Sequence, residues 1–188
     1  MTEIFLGNPP EHIKNWIIAH SKPKMTPLCF TAEEAGSTVK LTKNKSAPDV
    51  NLQTSTDGQS WTPYNVGYTI TLANVDDKVY FKAVGSNSTI GSSYINYNKF
   101  EMTGEIAASG NINSLLNEDE ETARTMSLAG KTSCYRNLFY GCTSLTQAPE
   151  LPAKTLTEYC YSYMFYGCKS LTQAPALPAT TLASGCYN

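Results

Sequence analysis

Five of the six cysteines in this 188-residue chain recur at a fixed spacing, and the spacing limits what chemistry they can do. Cys134, Cys160 and Cys186 form one series with a period of 26 residues, and Cys142 and Cys168 form another with the same period; Cys29 stands apart. A zinc site needs four convergent nitrogen or sulfur ligands. The sequence has no Cys-x-x-Cys, and its two histidines, His12 and His20, lie far upstream. Disulfides need an oxidising compartment. The N-terminus, MTEIFLGNPPEHIKNW, has neither the basic region nor the long apolar region of a secretory leader. The two series are therefore expected to be columns of free thiols that act as small apolar fillers. His12 and His20 are eight residues apart, two helical turns, which suits solvated side chains better than a paired acid and base. No Gly-x-Ser-x-Gly, P-loop or His-Glu-x-x-His motif occurs. The expectation is a protein with no catalytic residue, no metal and no cofactor.

What positions these cysteines is a tandem repeat. Residues 134–159 (CYRNLFYGCTSLTQAPELPAKTLTEY) and 160–185 (CYSYMFYGCKSLTQAPALPATTLASG) are identical at 17 of 26 positions. A third copy opens with Cys186-Tyr187, and the expectation is that the natural polypeptide continues. A unit this short cannot bury its apolar face alone and must stack on its neighbours, so the spacing predicts a solenoid. Its core would be Cys134, Phe139, Cys142, Leu145, Cys160, Phe165, Cys168 and Leu171. Within one unit, Cys160 to Cys168 suits a short helix or 3₁₀ turn ended by Gly167, and Ser170 to Ala174 a short strand closed by Pro175 and Pro178.

Three segments precede the repeats. In residues 1–25, Asn8 can cap a helix with Pro9 at its first position. Ile13, Trp16 and Ile17 fall on one stripe of that helix, which would end near His20. The stripe either packs on the adjacent domain or docks into another protein, and the Ser21-Lys22-Pro23-Lys24 linker favours docking. Residues 26–106 hold strand-like runs at Pro27–Thr31, Ser37–Thr42, Val50–Ser55, Tyr68–Leu72, Lys78–Val84 and Ile95–Met102, separated by turn signals, which predicts an antiparallel β-sandwich. Val39 and Leu41 alternate with Lys40 and Thr42, and Val79, Phe81 and Ala83 with Tyr80 and Lys82, one face in and one out. Trp61 there reads as a core plug or, less simply, a carbohydrate platform. Residues 107–133 read as a degenerate capping repeat with a helix over Asn111–Met126, Leu115 and Leu116 inward. The acidic run 118–121 reads as solvated surface rather than a calcium loop. The fold class expected is α+β, mainly β: a short N-terminal anchor helix, an antiparallel sandwich, then a repeat solenoid over 134–188.

One stretch carries a resemblance. FYGCTSLTQAPELPA, with Cys142-Thr143-Ser144-Leu145 and Cys168-Lys169-Ser170-Leu171, resembles the BspA-type leucine-rich repeat. PLCFTAEEAGSTVKL and KFEMTGEIAASGNINSLL resemble the β-domain that precedes such repeats in proteins of gut Bacteroidales and their phages. The resemblance implies surface display and adhesion without catalysis.

Composition sets further bounds. A net charge of −2, with Arg124 and Arg136 the only arginines, argues against a nucleic-acid partner. No run of about 20 apolar residues marks a membrane helix, so no membrane insertion is expected. Twelve tyrosines against six phenylalanines favour a recognition surface, with Tyr135, Tyr140, Tyr161, Tyr163 and Tyr166 all in the repeats. A repeat adhesin without an export signal fits a virion. The expectation is a head fibre, decoration or tail-associated fibre held to a capsid or tail protein by its N-terminal segment. It would bind host-surface glycan or protein through the repeats, as a homo-oligomer with a trimer favoured. The alternative is a bacterial cell-surface or secreted adhesin.

Overall fold

A computed structural model describes residues 10–13 and 25–188. The described chain is mainly β. Its strands are β1 (Leu28–Ala32), β2 (Ser37–Lys43), β3 (Leu52–Ser55), β4 (Thr62–Tyr64), β5 (Ile70–Leu72), β6 (Lys78–Ala83), β7 (Asn98–Thr103), β8 (Ile106–Ser109) and β9 (Leu145–Gln147). Six form one sheet in the order β4-β3-β6-β1-β8-β9, and three form a second in the order β5-β2-β7.

The period-two pattern does its work in the long strands. Val39 and Leu41 of β2, and Val79, Phe81 and Ala83 of β6, are buried while their neighbours are partly exposed. Register then sets the core: Leu41 lies opposite Phe100 of β7, and Phe30 of β1 lies between Val79 and Ala108. Phe30 meets Phe100 at 4.8 Å, Phe81 meets Phe100 at 5.4 Å, and Phe30 meets Phe81 at 5.7 Å, all edge to face. Such pairs add about 0.5–1.5 kcal/mol each beyond the area they bury. Between β8 and the repeats lie a 3₁₀ turn (Ile112–Leu115) and one helix, α1 (Glu120–Thr125). Asp119 caps α1 by accepting from the Thr122 N–H, so one member of the acidic run has a structural task. The single helix expected over 111–126 is therefore two pieces, each with its own cap: Asn111 for the first and Asp119 for the second.

Two parts of the expected fold class need correction. The N-terminal anchor helix is not among the elements: of its length only Pro10–Ile13 is described, a single exposed turn. Ile13 is exposed, and Trp16 and Ile17 lie outside the described residues. The strand pairs formed within residues 26–106 are all antiparallel, as expected, and the one parallel pair, β8 with β9, joins the sheet to the repeats. The leucine-rich-repeat solenoid is not seen. Among the described residues the repeats contribute one strand, β9, and that strand belongs to the six-stranded sheet. The identical Leu171-Thr172-Gln173 forms no strand. Nor do the leucines build a shared spine: Leu151 and Leu156 are buried, but their equivalents Leu177 and Leu182 are 51% and 63% exposed.

Candidate functional site: a tyrosine face on the repeats

The first part of each repeat, 134–142 and 160–168, is built from consecutive tight turns rather than strands or helices. Left-handed backbone recurs every fourth residue there, at Ser133, Asn137 and Gly141 and, one period later, at Tyr159, Tyr163 and Gly167. Between them, each turn closes on itself, as where the Leu138 N–H donates to the Tyr135 carbonyl and the Tyr140 N–H to the Asn137 carbonyl. The N–H groups of Tyr135, Asn137, Phe139 and Gly141 then donate to the carbonyls of Cys160, Ser162, Met164 and Tyr166, which lays the second unit on the first.

This register aligns side chains in rows. Tyr135, Tyr161 and Tyr187 stack at 5.7 and 5.8 Å, Phe139 on Phe165 at 5.5 Å, and Tyr140 on Tyr166 at 5.3 Å, each nearly parallel. Of the residues expected in a common core, Cys134, Phe139, Cys142, Leu145 and Cys160 are buried, whereas Phe165, Cys168 and Leu171 are half-buried. The described cysteines are all free thiols. Burial pushes the Cys142 thiol up to about 12 and those of Cys160 and Cys168 to about 11. These groups are too basic to act as nucleophiles near neutral pH.

The first unit continues contacts that begin in the sheets. The Phe100 N–H donates to the Leu138 carbonyl as the Phe139 N–H donates to that of Met164. Cys142 Sγ donates to the Phe100 carbonyl at 3.1 Å, and Cys168 Sγ to the Phe139 carbonyl at 3.1 Å. Gly91 does for Cys134 what Tyr135 does for Cys160. Gly91 and Phe100 thus start the rows. Subtracting one period from the repeat lands on Ala108, Leu116 and Asp119 and misses both.

On the outer side the rows produce an exposed aromatic face. Tyr140, Tyr159, Tyr163 and Tyr166 are each 37–59% exposed. The Arg136 guanidinium sits between two of them, 5.4 Å from the Tyr159 ring centre and 5.3 Å from that of Tyr163. Its Nε is buried without a partner, and among the described residues no carboxylate pairs with it. Tyr159 and Tyr163 hold φ of 56° and 54°, a region that bulky side chains avoid. One period earlier these positions are Ser133 and Asn137, and asparagine tolerates this conformation. Tyrosine at these positions carries the left-handed cost without asparagine's tolerance of it, a difference of up to about 1 kcal/mol per residue. In return come the cation–π contacts, an edge-to-face contact of Tyr163 with Tyr166 at 5.8 Å and the exposed face. Gly185 belongs to the same arrangement: a Cβ there would lie 2.5 Å from the Tyr159 ring. Beside the face, a cavity of about 480 Å³ is lined by Tyr161, Tyr163, Phe165, Tyr166, Leu177 and Tyr187 among others. The Tyr161 and Tyr187 hydroxyls are buried and unpartnered, whereas Tyr135 donates to Asn113 Oδ1 at 2.9 Å. The face can offer ring surface, phenol hydroxyls and one guanidinium. It holds no acid–base pair.

Elsewhere, Trp61 is half-buried with Lys82 Nζ 4.2 Å over its ring, so it is neither a core plug nor an open platform. Among the described residues no cluster of histidine, cysteine and carboxylate side chains could hold a metal ion, and no helix is long and apolar enough to cross a membrane. No protein-family model, curated protein or solved structure matches the chain. Sequence reasoning picked out Tyr140, Tyr163 and Tyr166 but missed Arg136 and Tyr159. The available signal was the replacement of Ser133 and Asn137 by tyrosine one period later, inside an otherwise conservative repeat.

Proposed function

We propose that this chain is a non-enzymatic virion protein, a head fibre, decoration or tail-associated fibre of a phage, that recognises a host-surface glycan or protein. The observation that carries this reading is the Arg136-centred tyrosine face, two of whose rings stand on strained backbone. Strained backbone clusters at functional sites, and tyrosine and arginine are enriched in recognition hot spots. The resemblance of the Cys-x-Ser-Leu segments to BspA-type repeats supports the same assignment. Attachment to a capsid or tail protein falls to residues 1–25, and the particle-bound form is a homo-oligomer, a trimer by analogy with fibres.

The test is adhesion of the fluorescently labelled chain to intact gut Bacteroidales cells. Arg136→Ala and Tyr163→Ala should each reduce adhesion roughly tenfold or more, as losses at a hot spot do, with an unchanged circular dichroism spectrum. Equal adhesion of both variants would remove the face from the account. Antibody labelling of purified particles tests the virion assignment separately.

A further inference from the structure

The second unit follows the first closely on two sides and leaves it on a third. The Ser170 N–H reaches the Thr143 carbonyl, and Thr181 bridges to Thr155. Between those links the duplicated Thr-Gln-Ala-Pro segments separate, and a cleft of about 700 Å³ opens between Thr146–Pro152 and Thr172–Pro178. One wall of this cleft is β9. It is the last strand of the six-stranded sheet, with β8 on one side and no strand on the other among the described residues. An unpaired edge is a template for another extended chain. Natural sheets blunt such edges with lysine, proline, a bulge, a covering loop or a very short strand, and β9, three residues long, uses the last of these. β9 itself, Leu145-Thr146-Gln147, carries no charge, and its irregularity lies on the β8 side.

The cleft is also electrically one-sided. Glu33 and Glu150 are its only charged lining residues, both are exposed, and neither forms an ion pair among the described residues. The other lining groups are prolines, alanines, a leucine, threonines and glutamines. They offer apolar contact and hydrogen bonds but no positive charge. A sheet edge flanked by two uncompensated carboxylates selects an extended segment that brings its own cations.

We infer that the outer edge of β9 is a docking site for an extended, lysine- or arginine-bearing peptide segment of another protein, which adds a strand to the six-stranded sheet between the two repeats. The site is separate from the tyrosine face, so it stands or falls apart from the adhesion reading. The Glu33 and Glu150 carboxylates pair with alternate basic side chains, while backbone groups of the incoming strand meet those of β9.

The test uses the full chain and a fluorescein-labelled octapeptide of alternating lysine and valine, read by fluorescence anisotropy. Binding is expected, with no binding of the glutamate–valine counterpart. N-methylating alternate amides keeps the charge but blocks one ladder edge, and should weaken binding roughly tenfold or more. Glu33→Gln combined with Glu150→Gln should weaken it several-fold, through a faster off-rate and a loss of salt dependence. These glutamates are exposed, so the double variant keeps its fold, which circular dichroism confirms. Absence of binding, equal binding of the N-methylated peptide, or equal binding of the acidic peptide would overturn the site. So would cross-strand NOEs between Thr146 and Thr172 in the free protein, because the chain would then fill its own cleft.

Discussion

The two repeats share most of their sequence and almost none of their environment. Leu145 of the first is fully buried in a strand of the six-stranded sheet, whereas Leu171 of the second is half-buried and in no strand. Leu151 is 3% exposed and Leu177 51%. The Tyr135 hydroxyl has Asn113 as its partner, while that of Tyr161 is buried with none. The first unit is thus part of the body's core, and the second is a layer resting on it. The difference teaches that a repeat's contribution depends on what it lies against, more than on the residues it contains.

The comparison can be broken most directly with paired truncations. Leu145→Ala is expected to cost about 2–5 kcal/mol, the range for a fully buried leucine, and Leu171→Ala well under half of the Leu145 value, both from urea unfolding midpoints. Equal costs would erase the distinction. A smaller effect separates the stacked tyrosines. Tyr135→Phe leaves Asn113 Oδ1 without its donor and should cost about 1–2 kcal/mol. Tyr161→Phe removes an orphan hydroxyl and should be neutral or stabilising. The strain argument predicts a gain: Tyr163→Asn, which matches the first unit's Asn137, should stabilise the fold by up to about 1 kcal/mol while lowering adhesion. A Tyr163→Asn protein that is less stable would show that the ring's contacts outweigh its backbone cost.

A last effect appears only at alkaline pH. The buried thiols of Cys142 and Cys160 and the half-buried thiol of Cys168 stay protonated in the folded state up to about 12, 11 and 11. In the unfolded chain they ionise near 9, so above that pH the unfolded state holds fewer protons and is favoured. Stability should therefore be flat through neutrality and fall as pH rises from about 9 towards 11–12. Cys142→Ala should lessen the fall more than Cys168→Ala, because Cys142 is the more deeply buried.

Much of the β-region was legible because alternation is a local signal. Six strand-like runs correspond to β1, β2, β3, β5, β6 and β7, and the inward faces of β2 and β6 follow directly from Val39, Leu41, Val79 and Phe81. β4 was missed: Thr62-Pro63-Tyr64 is three residues long, contains a proline and survives only as an edge paired with β3. The solenoid expectation failed for a physical reason. The repeat fixes the turns and the stacking period, but the surface that receives the first unit comes from Gly91 and Phe100, residues of a loop and a strand that carry no trace of the period. With the first unit built into the sheet through β9, its leucines join the body's core, and the second unit's leucines have nothing comparable to enter. The site was half legible. Tyrosine content pointed to the repeats as a recognition surface, whereas the Arg136 sandwich depends on left-handed backbone at Tyr159 and Tyr163, and non-glycine residues give little warning of that conformation.

The central claim is that the first repeat is core and the second a layer upon it. Residue-resolved amide hydrogen exchange on the full chain tests this in one experiment. The N–H groups of Tyr135, Phe139 and Gly141, held by carbonyls of the second unit, should exchange far more slowly than those of Thr172, Gln173 and Ala174. Comparable protection across 134–147 and 160–173 would mean that the units are equivalent, and would contradict the account.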